Sequence, residues 1–374
     1  MPCSFVRTPP KCPASLGAVS LDAHAAPSSP PPRKLVIQIP CLNEEGSLPA
    51  TLADLPRQVP GFDVVEWLVV DDGSTDRTVE VARARGVDHV VSHPRNRGLA
   101  AAFLTGLDAA LKAGATVVVN TDADNQYQAS CIPAITAPVL AGEADIVVGA
   151  RPIGSIDEFS RVKKVLQRVG SRVVRWCSGV EIDDAASGFR AFNRDAAMRA
   201  FVHGRYTYTL ETLIQAGAEG LTVKSVPIGV NPHMRPSRLV KSSASYVRRS
   251  AQTIVRSFAL YRPFRFFSAL AALPGVVGVA LLLRWLGFYV LADEYRSRLP
   301  SLVTAVALLL VAAQFMVLAF IADLIAASRR LQANANLRLR RMELSALDGA
   351  THHGPGQGAG HLLHLESGGD EPPE

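Results

Sequence analysis

Charge is scarce in this chain. Only 19% of its 374 residues are Asp, Glu, Lys or Arg, against 48% hydrophobic, and the mean hydropathy is +0.17. That balance excludes a disordered chain, which lacks the apolar residues to build a core, and implies that some segment meets lipid. Cysteine is also scarce. Cys3, Cys12, Cys41, Cys131 and Cys177 are odd in number and contain no C-x-x-C pair, so neither a disulfide framework nor a zinc site is indicated. A reducing compartment fits. The net charge is only +6, too small to separate nucleic acid, membrane surface and anionic substrate as partners. The length exceeds the roughly 100 to 200 residues of a typical domain, so two units, or one domain with appendages, are expected.

The two ends lack periodicity. Residues 1–33 hold eight prolines, and their one apolar run, Leu16 to Leu21, is too short for a signal-peptide core. A disordered leader is expected. Residues 344–374 mix Gly, His and Pro without ligand spacing, and the whole of 329–374 is expected to be a basic juxtamembrane segment and solvated tail.

Between the ends, apolar runs alternate with helical patterns. Leu35–Ile39, Trp67–Val70, His89–Val91, Thr116–Val119 and Ile146–Val148 have the character of buried parallel strands. Leu99, Phe103, Gly106, Leu107, Ala110 and Leu111 share one helical face before Gly114. Such βαβ repetition predicts an α/β fold with an open, mostly parallel sheet, whose ligands bind beyond the carboxyl ends of the strands.

Two later runs, Phe266–Leu283 and Leu302–Ala322, carry no charge over 18 and 21 residues. Each approaches the roughly 20 residues needed to cross a bilayer, which predicts a hairpin of transmembrane helices over 266–284 and 302–323. The alternative is a pair of buried core helices, although soluble helices of that length normally show a polar face. Arg248, Arg249, Arg256, Arg262 and Arg265 precede the first run, and Arg329, Arg330, Arg338, Arg340 and Arg341 follow the second. By the positive-inside rule both ends of the hairpin, and the α/β domain, face the cytoplasm, making this a multi-pass protein of the cytoplasmic membrane. Basic runs beside membrane spans disfavour nucleic acid. Two helices offer little interior for a channel or flippase, and the sequence leaves homo-oligomerisation open.

The polar residues after each strand carry the chemistry. Pro40-Cys41-Leu42-Asn43-Glu44-Glu45 could read a nucleoside, or form a capped helix start. In Asp71-Asp72-Gly73-Ser74-Thr75-Asp76, Ser74 or Asp76 is a candidate helix cap, which leaves Asp71 and Asp72 unexplained. Asn120-Thr121-Asp122-Ala123-Asp124-Asn125-Gln126 places two carboxylates two residues apart, with the Gln126 amide as a further oxygen ligand. Hard oxygen ligands suggest Mg²⁺ or Mn²⁺ bridging a nucleoside diphosphate.

The ordered set P-x-x-N-E (40–44), D-D-G-S-x-D (71–76), N-x-G (96–98), D-A-D-x-Q (122–126), G-A-R (149–151) and D-x-x-S-G-F-R (184–190) resembles family 2 glycosyltransferases. It is similar, more narrowly, to the polyprenyl-phosphate branch typified by dolichol-phosphate mannosyltransferase and its bacterial undecaprenyl-phosphate relatives. The resemblance runs from about 34 to 265 and implies a nucleotide-sugar-binding GT-A type domain over 34–240. It implies that Pro40, Leu42, Glu44, Val70 and Asp72 line the nucleoside. Asp122, Ala123, Asp124 and Gln126 would hold metal and diphosphate, with Arg151 nearby and Asp122, Asp124 and Gln126 as the metal ligands. Asp184, Asp124 and Arg190 would form the catalytic set, with Asp184 a base or a group orienting the sugar or Arg190. The departure Arg172-Val173-Val174-Arg175-Trp176 from the Q-x-x-R-W of processive members counts against a polysaccharide synthase.

Arg235, Arg238 and Lys241, between the last strand and the membrane, suit a lipid phosphate; a solvated basic loop is the plainer reading. Ala251, Ile254, Val255 and Phe258 share a helical face, predicting a basic interfacial helix over 241–265 laid on the bilayer. Glu211 is a candidate catalytic carboxylate or a helix-dipole partner. The expected activity is transfer, with inversion, of a sugar from a nucleotide-diphosphate sugar to polyprenyl phosphate. The alternatives are a saccharide or lipid hydroxyl acceptor and a non-catalytic membrane docking protein.

Overall fold

Alternate residues of a strand face opposite sides of a sheet, and in this chain both sides are apolar. Leu35, Ile37 and Ile39 of the first strand belong to one hydrophobic cluster, Val36 to the other. The strand is therefore central and covered on both faces. The computed structural model describes residues 32–152, 161–202, 204, 208–232, 243–291 and 299–351, and from Arg33 onward these form one compact unit. The leader expected over 1–33 lies almost wholly outside the described residues.

The five expected strands are β1 (Lys34–Cys41), β2 (Val64–Asp71), β3 (His89–Ser92), β4 (Val117–Asn120) and β5 (Ile146–Ala150). Two more, β6 (Arg190–Asn193) and β7 (Val223–Pro227), complete the sheet. The order is β3-β2-β1-β4-β6-β5-β7. All neighbours are parallel except β6, which runs antiparallel to β4 and β5. The reversed β6 inserts the S-G-F-R segment between the ends of β4 and β5, and so beside the D-A-D turn.

Helices α1 (Leu48–Asp54), α2 (Thr78–Ala84) and α4 (Ile132–Leu140) cover one face; α3 (Leu99–Lys112), α6 (Arg194–Arg199) and α7 (Thr209–Glu219) cover the other. Phe103, Leu107, Ala110 and Leu111 of α3 are buried as the spacing predicted. Phe103 stacks on Tyr208 at 3.9 Å between centroids. The amphipathic α5 (Arg161–Ser178) buries Val174 and leaves Val169 and Trp176 50% and 67% exposed.

After α8 (Ser243–Tyr261) come α9 (Pro263–Leu291) and α10 (Leu299–Thr351). A side chain at 275 would meet Ala312, and one at 278 would meet Leu309, so α9 and α10 form an antiparallel hairpin. Both are long and apolar enough to cross a membrane, and only 11% of the most apolar stretch of each is buried. That exposure removes the buried-core alternative.

Two expectations need correction. Residues 329–351 are a continuation of α10. Leu344 is buried where α10 packs against α3 and α6. Arg340 pairs with Asp108 and donates to the Met198 carbonyl at 3.2 Å, and Arg341 pairs with Asp195. These partners come from distant sequence, so no local pattern could reveal a docked helix. On α8 the expected apolar face is divided. Ile254 and Phe258 turn toward the domain, Phe258 lying 5.3 Å from the Trp176 ring, while Ala251 and Val255 remain exposed.

Candidate active site

The loops after β1 and β2 are knitted to each other. The Asn43 amide donates to Ser74 Oγ and the Glu44 amide to Thr78 Oγ1, both at 2.8 Å; the Thr75 amide returns to Asn43 Oδ1 at 2.8 Å. The Glu45 amide donates to Asp76 and the Arg77 amide to Glu45. P-x-x-N-E and D-D-G-S-x-D are thus one structural unit. Gly73 has φ +75°, and a Cβ there would lie 2.7 Å from the Arg95 backbone, so the D-D-G turn passes too close to the N-x-G loop for any side chain.

Asp72 holds that third loop. Its carboxylate, only 3% exposed, accepts from the Arg97 and Gly98 amides at 2.8 Å and bonds His93 Nδ1 at 2.8 Å, while His93 Nε2 meets Thr105 Oγ1 at 3.0 Å. These bonds fix the chain that starts α3.

Asp122 and Asp124 follow β4. Burial, then the Asp124 charge and Glu44, push the Asp122 carboxyl up to about 7, against the pull of Arg151 and a hydrogen bond from Tyr127. Crowded carboxylates of this kind are relieved by a cation. Among the described residues no three His, Cys, Asp or Glu side chains gather as a metal site. Two carboxylates two residues apart are hard oxygen donors of the kind Mg²⁺ and Mn²⁺ take, alongside water and substrate phosphate. The Gln126 backbone braces the turn: its amide donates to Asp124 Oδ1 at 3.1 Å and its carbonyl accepts from the Asn231 amide at 2.8 Å. The Asn231 side chain donates to the Asn125 carbonyl at 3.0 Å.

Beside this turn Arg151 grips Asp184, Nε to Oδ2 at 2.6 Å and Nη2 to Oδ1 at 3.1 Å, with side-chain exposures of 8% and 1%. Asp184 therefore orients Arg151, not Arg190 as one sequence reading had it. Arg190 has no exposed surface. It donates to the carbonyls of Ser187 and Ala185 and to Thr212 Oγ1, and burial lowers its pKa to about 10. It lies beneath the site and supports the loop carrying Asp184.

The other expected contacts differ in exposure. Val70 is packed in the core under α3 and Pro40 is buried in β1, whereas Leu42 is 36% exposed and Glu44 partly so. Ala123 is buried, its carbonyl accepting from Thr51. Glu211 is buried in the first turn of α7, where it accepts from the Gly204 amide. Arg235, Arg238 and Lys241 lie outside the described residues. Sequence pattern assigns no role to His93, Tyr127 or Tyr208, and marks Asn120 only as the residue that opens the stretch holding D-A-D-x-Q.

Residues 36–201 match the domain family Glycosyl transferase family 2. The chain is 32% identical over 200 residues to an undecaprenyl-phosphate mannosyltransferase of Micrococcus luteus, covering 51% of this chain and 80% of the relative. It is 31% identical over 231 residues to a polyprenol monophosphomannose synthase of Mycolicibacterium smegmatis, covering 59% and 85%. The chain is a family 2 glycosyltransferase. Its similarity lies with the polyprenyl-phosphate branch, as the motif set implied. The glycosyltransferase shares its fold with glucosyl-3-phosphoglycerate synthase of Mycobacterium tuberculosis, solved with Mn²⁺, uridine-diphosphate-glucose and phosphoglyceric acid. The TM-score is 0.50 at 24% identity, over 61% of this chain and 80% of that one.

Proposed function

We propose that this membrane-anchored glycosyltransferase moves a sugar, with inversion, from a nucleotide-diphosphate sugar to polyprenyl phosphate at the cytoplasmic face of the membrane, for cell-envelope glycan synthesis. The observation that carries the reading is the Arg151–Asp184 pair. The buried Asp184 carboxylate, which shares Arg151 with Asp122, is engaged at both oxygens by that guanidinium, which leaves it poorly placed to take a proton. A hydroxyl acceptor needs such a base. A lipid phosphate, already anionic, does not. The names of the relatives from Micrococcus luteus and Mycolicibacterium smegmatis support the same acceptor.

Leu42 and Glu44 would contact the nucleoside, with Pro40, Val70 and Asp72 shaping the pocket from beneath. Asp122, Asp124 and Gln126 would hold the metal, and Ala123 and Arg151 would flank the diphosphate. Bound Mg²⁺ or Mn²⁺ supplies charge neutralisation to the departing nucleoside diphosphate. Arg235, Arg238 and Lys241 would receive the acceptor phosphate. Support comes from the segment that leads to them: the Gln128 amide donates to the Gly229 carbonyl, Tyr127 bridges Val230, and the Asn231 amide reaches Gln126. Residues 229–231 therefore lie against the turn that carries Asp122 and Asp124, and in this reading the basic side chains that follow in sequence would neutralise the repulsion between the two anions.

Purified protein with Mn²⁺, a panel of radiolabelled nucleotide sugars and undecaprenyl phosphate should form a labelled lipid. Transfer to a saccharide or diacylglycerol but never to the lipid phosphate would overturn the proposal.

A further inference from the structure

We propose that Arg262 is a positioning residue that locks the catalytic domain onto the membrane hairpin and so holds the active site at a fixed height over the bilayer; the inference rests on the lipid-phosphate acceptor proposed above. Arg262 is the single residue between α8 and α9. Its amide donates to the Phe258 carbonyl at 2.9 Å, closing the last turn of α8, and its carbonyl accepts from the Phe266 amide of α9 at 3.1 Å. The hairpin therefore joins α8 without a loop that could act as a swivel.

The Arg262 side chain reaches the other way, into the catalytic domain. Its Nη2 donates to the Ser178 carbonyl at the end of α5 and to the Gly217 carbonyl in the last turn of α7, both at 2.7 Å. Carbonyls in the last turn of a helix lack partners inside it, and that end of a helix favours a cation. Two helix ends thus converge on one guanidinium. Gly217 permits the arrangement: a Cβ there would lie 2.0 Å from the Ser178 oxygen, so any side chain would prise α7 from α5 and spread the two carbonyls. The same stretch gathers the other helices. Phe258 lies 5.3 Å from the ring of Trp176 on α5 and 5.9 Å from that of Phe266 on α9, and Arg329 of α10 donates to the Leu260 carbonyl at 3.2 Å. Both helices of the hairpin and two helices of the domain therefore meet at residues 258–262, and the chain leaving this socket at Ser178 runs on to the Asp184–Arg151 pair. An acceptor held in the bilayer can react only if the domain has the right height and tilt, whereas a dissolved acceptor can approach a domain in any orientation.

The test uses the full chain in lipid nanodiscs with Mn²⁺ and a labelled nucleotide sugar, and compares undecaprenyl phosphate embedded in the disc with a short, water-soluble isoprenyl phosphate. Arg262→Gln should lower kcat/KM for the embedded acceptor about tenfold and leave that for the soluble acceptor within about twofold. Gly217→Ala, which opens the same socket from α7, should shift the ratio in the same direction, and Arg262→Lys, which keeps a charged donor, should restore part of it. Arg265→Gln, which removes an exposed cation nearby, should leave the ratio unchanged. An unchanged ratio in Arg262→Gln, whether both activities persist or both fall together with the melting temperature, overturns the positioning role while the acceptor reading stands. Absence of transfer to either phosphate by the unsubstituted protein overturns the acceptor reading and this inference together.

Discussion

Asp184 and Arg151 meet through two hydrogen bonds in a setting where neither side chain has appreciable exposure. Asp184→Asn would leave a buried guanidinium without its counter-charge, at a cost of about 3 to 5 kcal/mol. A clear fall in melting temperature should therefore accompany any loss of turnover. Lost turnover with an unchanged melting temperature would instead assign the carboxylate a role as base. Asp122 makes a second prediction. Its folded-state pKa, about 7, lies above the ordinary carboxylate value, so the folded protein binds the extra proton between roughly pH 4 and 7. Its contribution to metal-free stability is present below that window and is lost as pH rises through 7. The melting temperature of metal-free protein should fall across this range more steeply than that of Asp122→Asn, and Mn²⁺ affinity should weaken as pH drops from 8 to 6. The D-A-D-x-Q motif was legible in the sequence because its residues are contiguous. The Asp184–Arg151 pairing was not, because the two residues lie 33 apart and meet only when β6 inserts antiparallel beside β5.

The strands and α3 were legible for a different reason: burial on both faces produces continuous apolar runs, and one-sided burial produces a 3.6-residue period. The last half of α10 carries no such signature. Among the described residues its contact with the domain rests on the buried Leu344, on Glu343 beside Lys112, and on arginines that a sequence pattern naturally assigns to lipid. Arg340–Asp108 and Arg341–Asp195 are partly exposed pairs, worth at most about 1 kcal/mol each. Leu344 matters more. Leu344→Ala should cost about 2 kcal/mol and release the end of α10. Limited proteolysis should then cut near 330–350 faster than in the unsubstituted protein, and equal cleavage rates would mean that the docking contributes nothing to order.

The distribution of charge joins these parts. Residues 235–265 and 329–341 hold thirteen of the 39 Lys and Arg residues and no acid, whereas the remainder of the chain is acidic. Beside two long apolar helices with little burial, such collars are what the positive-inside rule expects of segments facing the cytoplasm. The collars are not equivalent, however. Arg248, Arg249 and Arg256 are exposed on α8. In the second collar Arg329 donates to the Leu260 carbonyl, and Arg340 and Arg341 bind the catalytic domain. Arg329, Arg340 and Arg341 of the second collar, and Arg262 of the first, which donates to the Ser178 and Gly217 carbonyls, thus serve joints within the protein. By itself the sequence determined the α/β sheet, the apolar hairpin and the family, because each is written in local periodicity or contiguous motifs. Only the tertiary structure decided which carboxylate meets which arginine, that Val70 and Asp72 are buried, and that α10 returns to the domain. Those outcomes depend on contacts between distant residues, which the antiparallel β6 and the returning helix create and no single segment encodes.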